Sequence, residues 1–273
     1  MIDIMSYQLK VIKDFPVGFW PLDESSGTIA ADRSGCGNNG TYIGSHTSNL
    51  LPIVPGGVLG TKITSTSYIQ IPTSNDYYSK NAGGGLATKN TIDNDFTIEL
   101  WVSQSISSSN ETPLFADSTN NIGIFWDNGD IVFKISDTEK IRHTLTYSKK
   151  AIHIVGVYAP SSMILYIDGV VVKTKSLSNF KFTNSTLNLA IGPTEDILDS
   201  FIVDAPAIYR YSLSQISVKQ HYIDGSNSTF PIHVVFPDEG TLFSCTDANI
   251  RGRFDYSYPV DKPFTSFTDE NTY

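Results

Sequence analysis

Ile122-Gly123-Ile124-Phe125-Trp126-Asp127-Asn128-Gly129-Asp130-Ile131-Val132-Phe133-Lys134-Ile135 places two runs of alternating apolar residues on either side of an Asn-Gly pair. Asn and Gly tolerate positive φ at both central positions of a two-residue turn, and such a turn matches the twist of the strands it joins. The stretch therefore predicts a β-hairpin. Working outward, Phe96-Thr97-Ile98-Glu99-Leu100-Trp101-Val102 alternates as well, with Phe96, Ile98, Leu100 and Val102 on one face. Tyr68-Ile69-Gln70-Ile71 is a shorter strand stopped by Pro72, and Phe15 to Leu22 is an edge-type strand limited by Pro16 and Pro21.

Downstream, Ile152 to Tyr158 and Met163 to Ile167 predict a second hairpin, and Asp168-Gly169 turns the chain into Val170-Val171-Val172. Leu187 to Gly192 and Phe201 to Asp204 are further short strands. Strands this short, separated by turn residues at regular intervals, predict an all-β, antiparallel two-sheet sandwich. Residues 213–223 are the convincing helix candidate, with Ser214 as its cap. Residues 73–94, which contain Gly83-Gly84-Gly85, are long and polar and predict a surface loop. The expected organisation is a lead-in over 1–14, a sandwich over 15–225, and an extension or the start of a small second domain over 226–273.

Composition narrows the function classes. Of 273 residues, 40% are hydrophobic and 17% charged, which suits a packed core and argues against general disorder. A net charge of −9 opposes nucleic-acid binding, which needs clustered Lys and Arg, and opposes an anionic membrane surface. No stretch approaches the ~20 apolar residues of a membrane-spanning helix. The N-terminus, Met1-Ile2-Asp3-Ile4-Met5-Ser6, lacks the basic and apolar regions of a signal peptide. Cys36 and Cys245 could pair or not, and no Cys-x-x-Cys occurs that would suggest a zinc ribbon.

Four segments in order resemble a known family. They are Phe19-Trp20-Pro21-Leu22-Asp23-Glu24-Ser25-Ser26-Gly27 with the following Asp32 to Thr41 turn, then Phe96 to Val102, then His153 to Gly169, and finally Val203 to Ser214. Together they look like laminin-G-like, concanavalin A-like domains over about residues 15–224. The resemblance implies a jelly-roll sandwich with a short C-terminal helix and an extended tail. It departs from the family in Ala151-Ile152, where a Trp is usual, and in the missing Gly before Phe201. The lead-in Leu9-Lys10-Val11-Ile12-Lys13-Asp14-Phe15-Pro16 also resembles that of minor tail and fibre proteins of tailed bacteriophages. That likeness implies a virion appendage as the location, with a secreted or extracellular setting as the alternative.

The same fold hosts glycoside hydrolases, so an enzyme is the runner-up reading. Hydrolysis needs two carboxyl groups about 5–10 Å apart, and hydrolases of this architecture resemble one another in a Glu-x-Asp-x-x-Glu strand. No Glu-x-Asp occurs in the chain, and the partners two away from Glu99 are Thr97 and Trp101. The five histidines, His46, His143, His153, His221 and His233, form no His-Glu-x-x-His motif, and His153 reads as a structural strand residue. No Gly-x-Ser-x-Gly elbow is present.

For binding, two candidate patches follow from exposed aromatics beside amides and carboxylates. One is Trp126 with Asp127 and Asn128; the other is Tyr77 and Tyr78. The alternative for Trp126 is packing beneath its hairpin. A structural calcium is expected in the Asp32 to Gly40 loop, because hard cations take carboxylate and carbonyl oxygens. In related domains an Asp of the last strand, matching Asp204, joins that loop. The competing reading is that Asp32 only caps the turn. These readings converge on a non-catalytic module whose partners are other virion or tail proteins or a host-surface polysaccharide, with homo-oligomerisation left open. The N-terminal lead-in and the 226–273 tail are the expected sites of strand addition.

Overall fold

The computed structural model describes residues 6–54, 60–64, 66–72, 95–103, 111–145, 151–178, 180, 188–193 and 200–226. Asn128 and Gly129 take φ of 48° and 91°. They join β9 (Ile122–Asp127) to β10 (Asp130–Lys134) as an antiparallel hairpin with Trp126 opposite Ile131. The second expected hairpin forms from β12 (Ala151–Ala159) and β13 (Ser162–Ile167). Asp168 and Gly169, at φ of 52° and 74°, then turn the chain into β14 (Val170–Ser176).

Among the described residues the strands form two antiparallel sheets. Sheet A runs β14, β13, β12, β7 (Phe96–Ser103), β16 (Phe201–Tyr209), β5 (Gly60–Ile63), β4 (Thr47–Leu50), with β1 (Gly18–Phe19) also paired to β16. Sheet B runs β11 (Lys140–Thr144), β10, β9, β8 (Thr112–Asp117), β15 (Ala190–Ile191), β6 (Tyr68–Gln70), β3 (Gly40–Ile43), β2 (Ile29–Ala30). This is the two-sheet sandwich that the alternating pattern predicts, with the jelly-roll form that the resemblance implies.

The period of two divides each strand between two environments. Phe96, Ile98, Leu100 and Val102 of β7 are all fully buried in the core between the sheets, where they meet Ile124, Ile131 and Phe133 of sheet B. Each such side chain contributes roughly 1.5–3 kcal/mol by leaving water. Gly156 of β12 is needed for this fit, because a Cβ there would lie 2.5 Å from the Phe133 ring.

The opposite face of sheet A is also buried, and this gives the molecule a third layer. Trp101, Val155, Val157, Ala207 and Tyr209 form a second core with two helices, α1 (Ser6–Lys13) and α2 (Gln215–Ser226). Ser214 caps α2 as expected, its Oγ accepting the Ser217 N–H at 3.0 Å. Helix α1 corrects the expectation of a flat, strand-adding lead-in. Tyr7 and Val11 lie four residues apart on one helical face and are fully buried, so this segment is engaged inside the fold. Residues 227–273, which hold the expected tail and Cys245, lie outside the described residues, as do residues 73–94, where a surface loop is expected.

Candidate functional site

The hairpin of β9 and β10 separates its two faces sharply. Trp126 is only 6% exposed and belongs to the core between the sheets. Its candidacy for sugar stacking is therefore corrected: alternation from Ile122 and Ile124 turns its ring inward, while Phe125 points the other way. What the hairpin does present is polar. Arg142 of β11 is 43% exposed and bridges Asp127 and Asp130, with Nη1 donating to Asp130 Oδ2 at 2.7 Å. The Arg142 hydrogen bonds hold the Asp130 carboxyl below its ordinary range, after the larger effect of a bond from Thr144. Asn128, at the turn, is exposed. Tyr77 and Tyr78 lie outside the described residues.

Asp32 sits where the turn-rich loop predicts, with three backbone donors. Its Oδ1 accepts the N–H groups of Phe19 at 3.0 Å and Ser34 at 2.8 Å, and its Oδ2 accepts that of Asn38 at 2.8 Å. Asp204 on β16 is 2% exposed and accepts the Val54 N–H at 3.2 Å. Burial pushes its carboxyl well above the ordinary range. Among the described residues, no group of three or more His, Cys, Asp or Glu could hold a metal ion. Cys36, in the same loop as Asp32, is disulfide-bonded.

Among the described residues, a buried cluster of ionisable groups is one the sequence does not announce. Glu99 points from β7 into the layer between sheet A and the helices and has no exposed surface. Its Oε1 accepts from Tyr7 of α1 at 3.1 Å and from His153 Nε2 of β12 at 2.8 Å. Its Oε2 accepts from Tyr209 of β16 at 2.9 Å and from His221 Nδ1 of α2 at 2.9 Å. The other ring nitrogen of His221 meets Asp14 Oδ2 at 3.0 Å. Carboxylate oxygens face both nitrogens, so both carry hydrogens and the ring is an imidazolium. Burial opposes that charge, but Glu99 and Asp14 outweigh it and raise His221 to about 9. Glu99 is correspondingly held far below the carboxylate range by His221 and His153 despite its burial.

The chain was compared with known proteins. A family model of laminin-G type, described as the concanavalin A-like lectin/glucanases superfamily, matches residues 64–219. The chain belongs to this superfamily. The match runs from the β5–β6 region through the start of α2 and so takes in both hairpins and the Glu99 strand. None of the curated proteins matches the chain. Among solved structures, the binding domain of Paraclostridial Mosquitocidal Protein 1 is similar at 18% identity with a TM-score of 0.58, over 77% of this chain and 52% of that one. The receptor-binding domain of botulinum neurotoxin D matches at 15% and 0.58, over 78% and 53%. The binding domain of botulinum neurotoxin DC, solved in complex with SialylT, matches at 15% and 0.56, over 78% and 52%. The chain therefore spans about half the length of these solved chains, and what they share with it is the lectin-like fold.

Within that fold, the sequence offered Trp126, Asp127 and Asn128 of the hairpin as one binding candidate; Trp126 lies in the core, and the two polar residues lie at the exposed turn end. Beside them stands Arg142, which the sequence reading did not single out, a lone Arg on a short strand at a register position that pairs with Val132. The Glu99 cluster also escaped that reading, its members being separated by as many as 122 residues.

Proposed function

We propose that the chain is a non-catalytic recognition module that binds a host-surface glycan through the polar end of the β9–β10 hairpin. The observation that carries this reading is the exposed Arg142, flanked by Asp127 and Asp130 beside the exposed amide of Asn128. Sugar hydroxyls need a mixed set of donors and acceptors on rigid elements, and three of these groups, Asp127, Asp130 and Arg142, sit on paired strands. Membership of a superfamily that includes lectins supports the same reading. The setting we propose is a bacteriophage tail or other virion appendage, on the strength of the sequence resemblance around Leu9 to Pro16.

The enzymatic alternative is disfavoured by what Glu99 does. A glycoside hydrolase needs two accessible carboxyl groups about 5–10 Å apart. Glu99 instead lies beneath two helices and has each of its oxygens engaged by side-chain donors from other elements.

The test is binding of the purified chain to an array of bacterial surface polysaccharides, with and without a chelator. Saturable binding that is lost in Arg142→Ala and weakened in Asn128→Gly supports the assignment; the Gly variant keeps the positive φ that the turn requires. Binding unchanged in both variants would place the glycan site elsewhere on the chain, and silence across the array would move the function to docking on other virion proteins.

A further inference from the structure

We propose that the Asp14–His221–Glu99 chain is a pH-sensitive latch that holds the helical layer onto sheet A and releases it, with the sandwich intact, when the histidine loses its charge. The geometry carries this in three steps. First, the helices and the sandwich have separate cores: the side chains between the sheets form one buried cluster, and those between sheet A and the helices form another. Losing the second need not open the first. Second, the side-chain ties of both helices converge on one point, apart from the ends of the layer, where Tyr211 bonds the Asp14 carbonyl and Thr97 accepts the Leu213 N–H. Tyr7 of α1 and His221 of α2 both bond Glu99, and His221 also bonds Asp14, just beyond α1. Third, His221 cannot be neutral without loss. A neutral imidazole has one N–H and one bare nitrogen, so one of its two carboxylate partners would face a lone pair in a dry site.

Every titratable group facing the latch is identifiable. From α1 and the residue after it come Tyr7, Lys10 and Asp14, with Lys10 paired to Asp14 at 3.6 Å. From α2 come His221 and Tyr222; from β7, Glu99; from β12, His153; from β16, Tyr209 and Asp204; and just past β16, Tyr211, whose hydroxyl donates to the Asp14 carbonyl. Burial pushes Tyr7 and Tyr209 well above the ordinary tyrosine range, so they stay protonated where His221 deprotonates. The sign follows from linkage. The folded-state value for His221 is raised above its unfolded one, so its contribution is complete below about pH 6.5 and is lost as pH rises through about 9. Glu99 works in the opposite sense and is ionised across that whole window, because its folded-state value is depressed.

The molecule carries its own reporter. Trp101 is 2% exposed, stacks on Tyr222 of α2 with ring centroids 6.0 Å apart, and would be 2.5 Å from a Cβ at Gly225. Undocking α2 exposes that indole. The experiment uses the full chain from pH 6 to 10. It follows tryptophan emission, far-UV dichroism, and pulsed trypsin cleavage at Lys10, Lys13 and Lys219.

The expected result is a red shift and the onset of cleavage at those lysines with a common midpoint near pH 9, while the β-sheet signal persists. Asp14→Asn should move that midpoint down by about 1 unit, because removing a nearby opposite charge lowers a histidine pKa by about that amount or more. His221→Gln should show cleavage at the same lysines already at pH 7, with its dichroism retained. Loss of the β-sheet signal in the same cooperative step as the red shift and the cleavage would overturn the proposal. So would an Asp14→Asn midpoint equal to that of the wild type.

Discussion

Glu99→Gln keeps the shape of the side chain and removes its charge, so it isolates what the buried carboxylate contributes to stability. In the wild type each carboxylate oxygen accepts at least two hydrogen bonds, from Tyr7, His153, Tyr209 and His221 at distances of 2.8–3.1 Å. A Gln places an NH₂ on one side, where donor would face donor. It also leaves the His221 charge buried with Asp14 as its remaining partner. Removing one partner of a buried ion pair costs about 3–5 kcal/mol. The surviving Asp14 contact places the expectation in the lower half of that range, about 3–4 kcal/mol, against a typical domain stability of about 5–15 kcal/mol. Urea unfolding at pH 7 reads this directly. With a slope of about 3 kcal/mol/M, the midpoint should fall by roughly 1 M while the slope stays unchanged. The double variant with His221→Gln should cost less than the sum of the two single variants by about 1 kcal/mol or more, as contacting residues do. A midpoint within about 0.3 M of the wild type, which is under about 1 kcal/mol at that slope, would refute the reasoning, because an acceptor loaded this heavily cannot be neutralised so cheaply.

Four further outcomes follow from the same geometry. Trp126→Ala should destabilise by about 3–5 kcal/mol as a core truncation and leave glycan affinity of the folded protein unchanged; a selective loss of binding at full stability would restore Trp126 as a recognition residue. Gly156→Ala should cost about 1–3 kcal/mol by overpacking against Phe133, measurable as a lowered Tm. Asp32→Ala should cost about 1–3 kcal/mol equally with and without calcium, since three amide donors lose their acceptor; a calcium-dependent rise in wild-type Tm that this variant lacks would instead establish Asp32 as a calcium ligand. Asp204→Asn should leave stability near pH 4 unchanged and raise it progressively above that, because the folded-state value of Asp204 is raised and wild-type stability falls by up to about 1.4 kcal/mol per pH unit until it is reached. Parallel stability–pH curves for the two proteins would show that burial does not hold Asp204 protonated.

Much of the architecture was legible along the chain because its causes are local. Alternation in Phe96 to Val102 and the turn chemistry of Asn128-Gly129 act within a few residues, and β7 and the β9–β10 hairpin formed where they were expected. Ser214 likewise caps the helix it precedes. At Trp126 the same local rule held: the period of two turns it toward the core with Ile122 and Ile124, as the packing alternative had it, and it was the polar neighbours Asp127 and Asn128 that suggested an exposed platform. Helix α1 was missed because its pattern is only Tyr7 and Val11 on one face, too little signal in eight residues without the neighbouring sheet. Its stability comes from that packing, as for most short helices in proteins.

Sequence by itself determined the fold class, the hairpins, the C-terminal helix and the lack of a Glu-x-Asp pair, because side-chain period, turn dihedrals and caps are properties of neighbouring residues. Tertiary structure alone decided which polar groups meet. Glu99 is 54 residues from His153, 110 from Tyr209 and 122 from His221. Only the strand order and the packing of two helices on one sheet bring them within hydrogen-bond reach, and only the closeness of Glu99 and Asp14 there keeps His221 a cation, with Glu99 as its fixed counter-ion, against the opposing effect of burial. A charge's environment is set by what surrounds it in space, and that is information no local stretch of this chain contains.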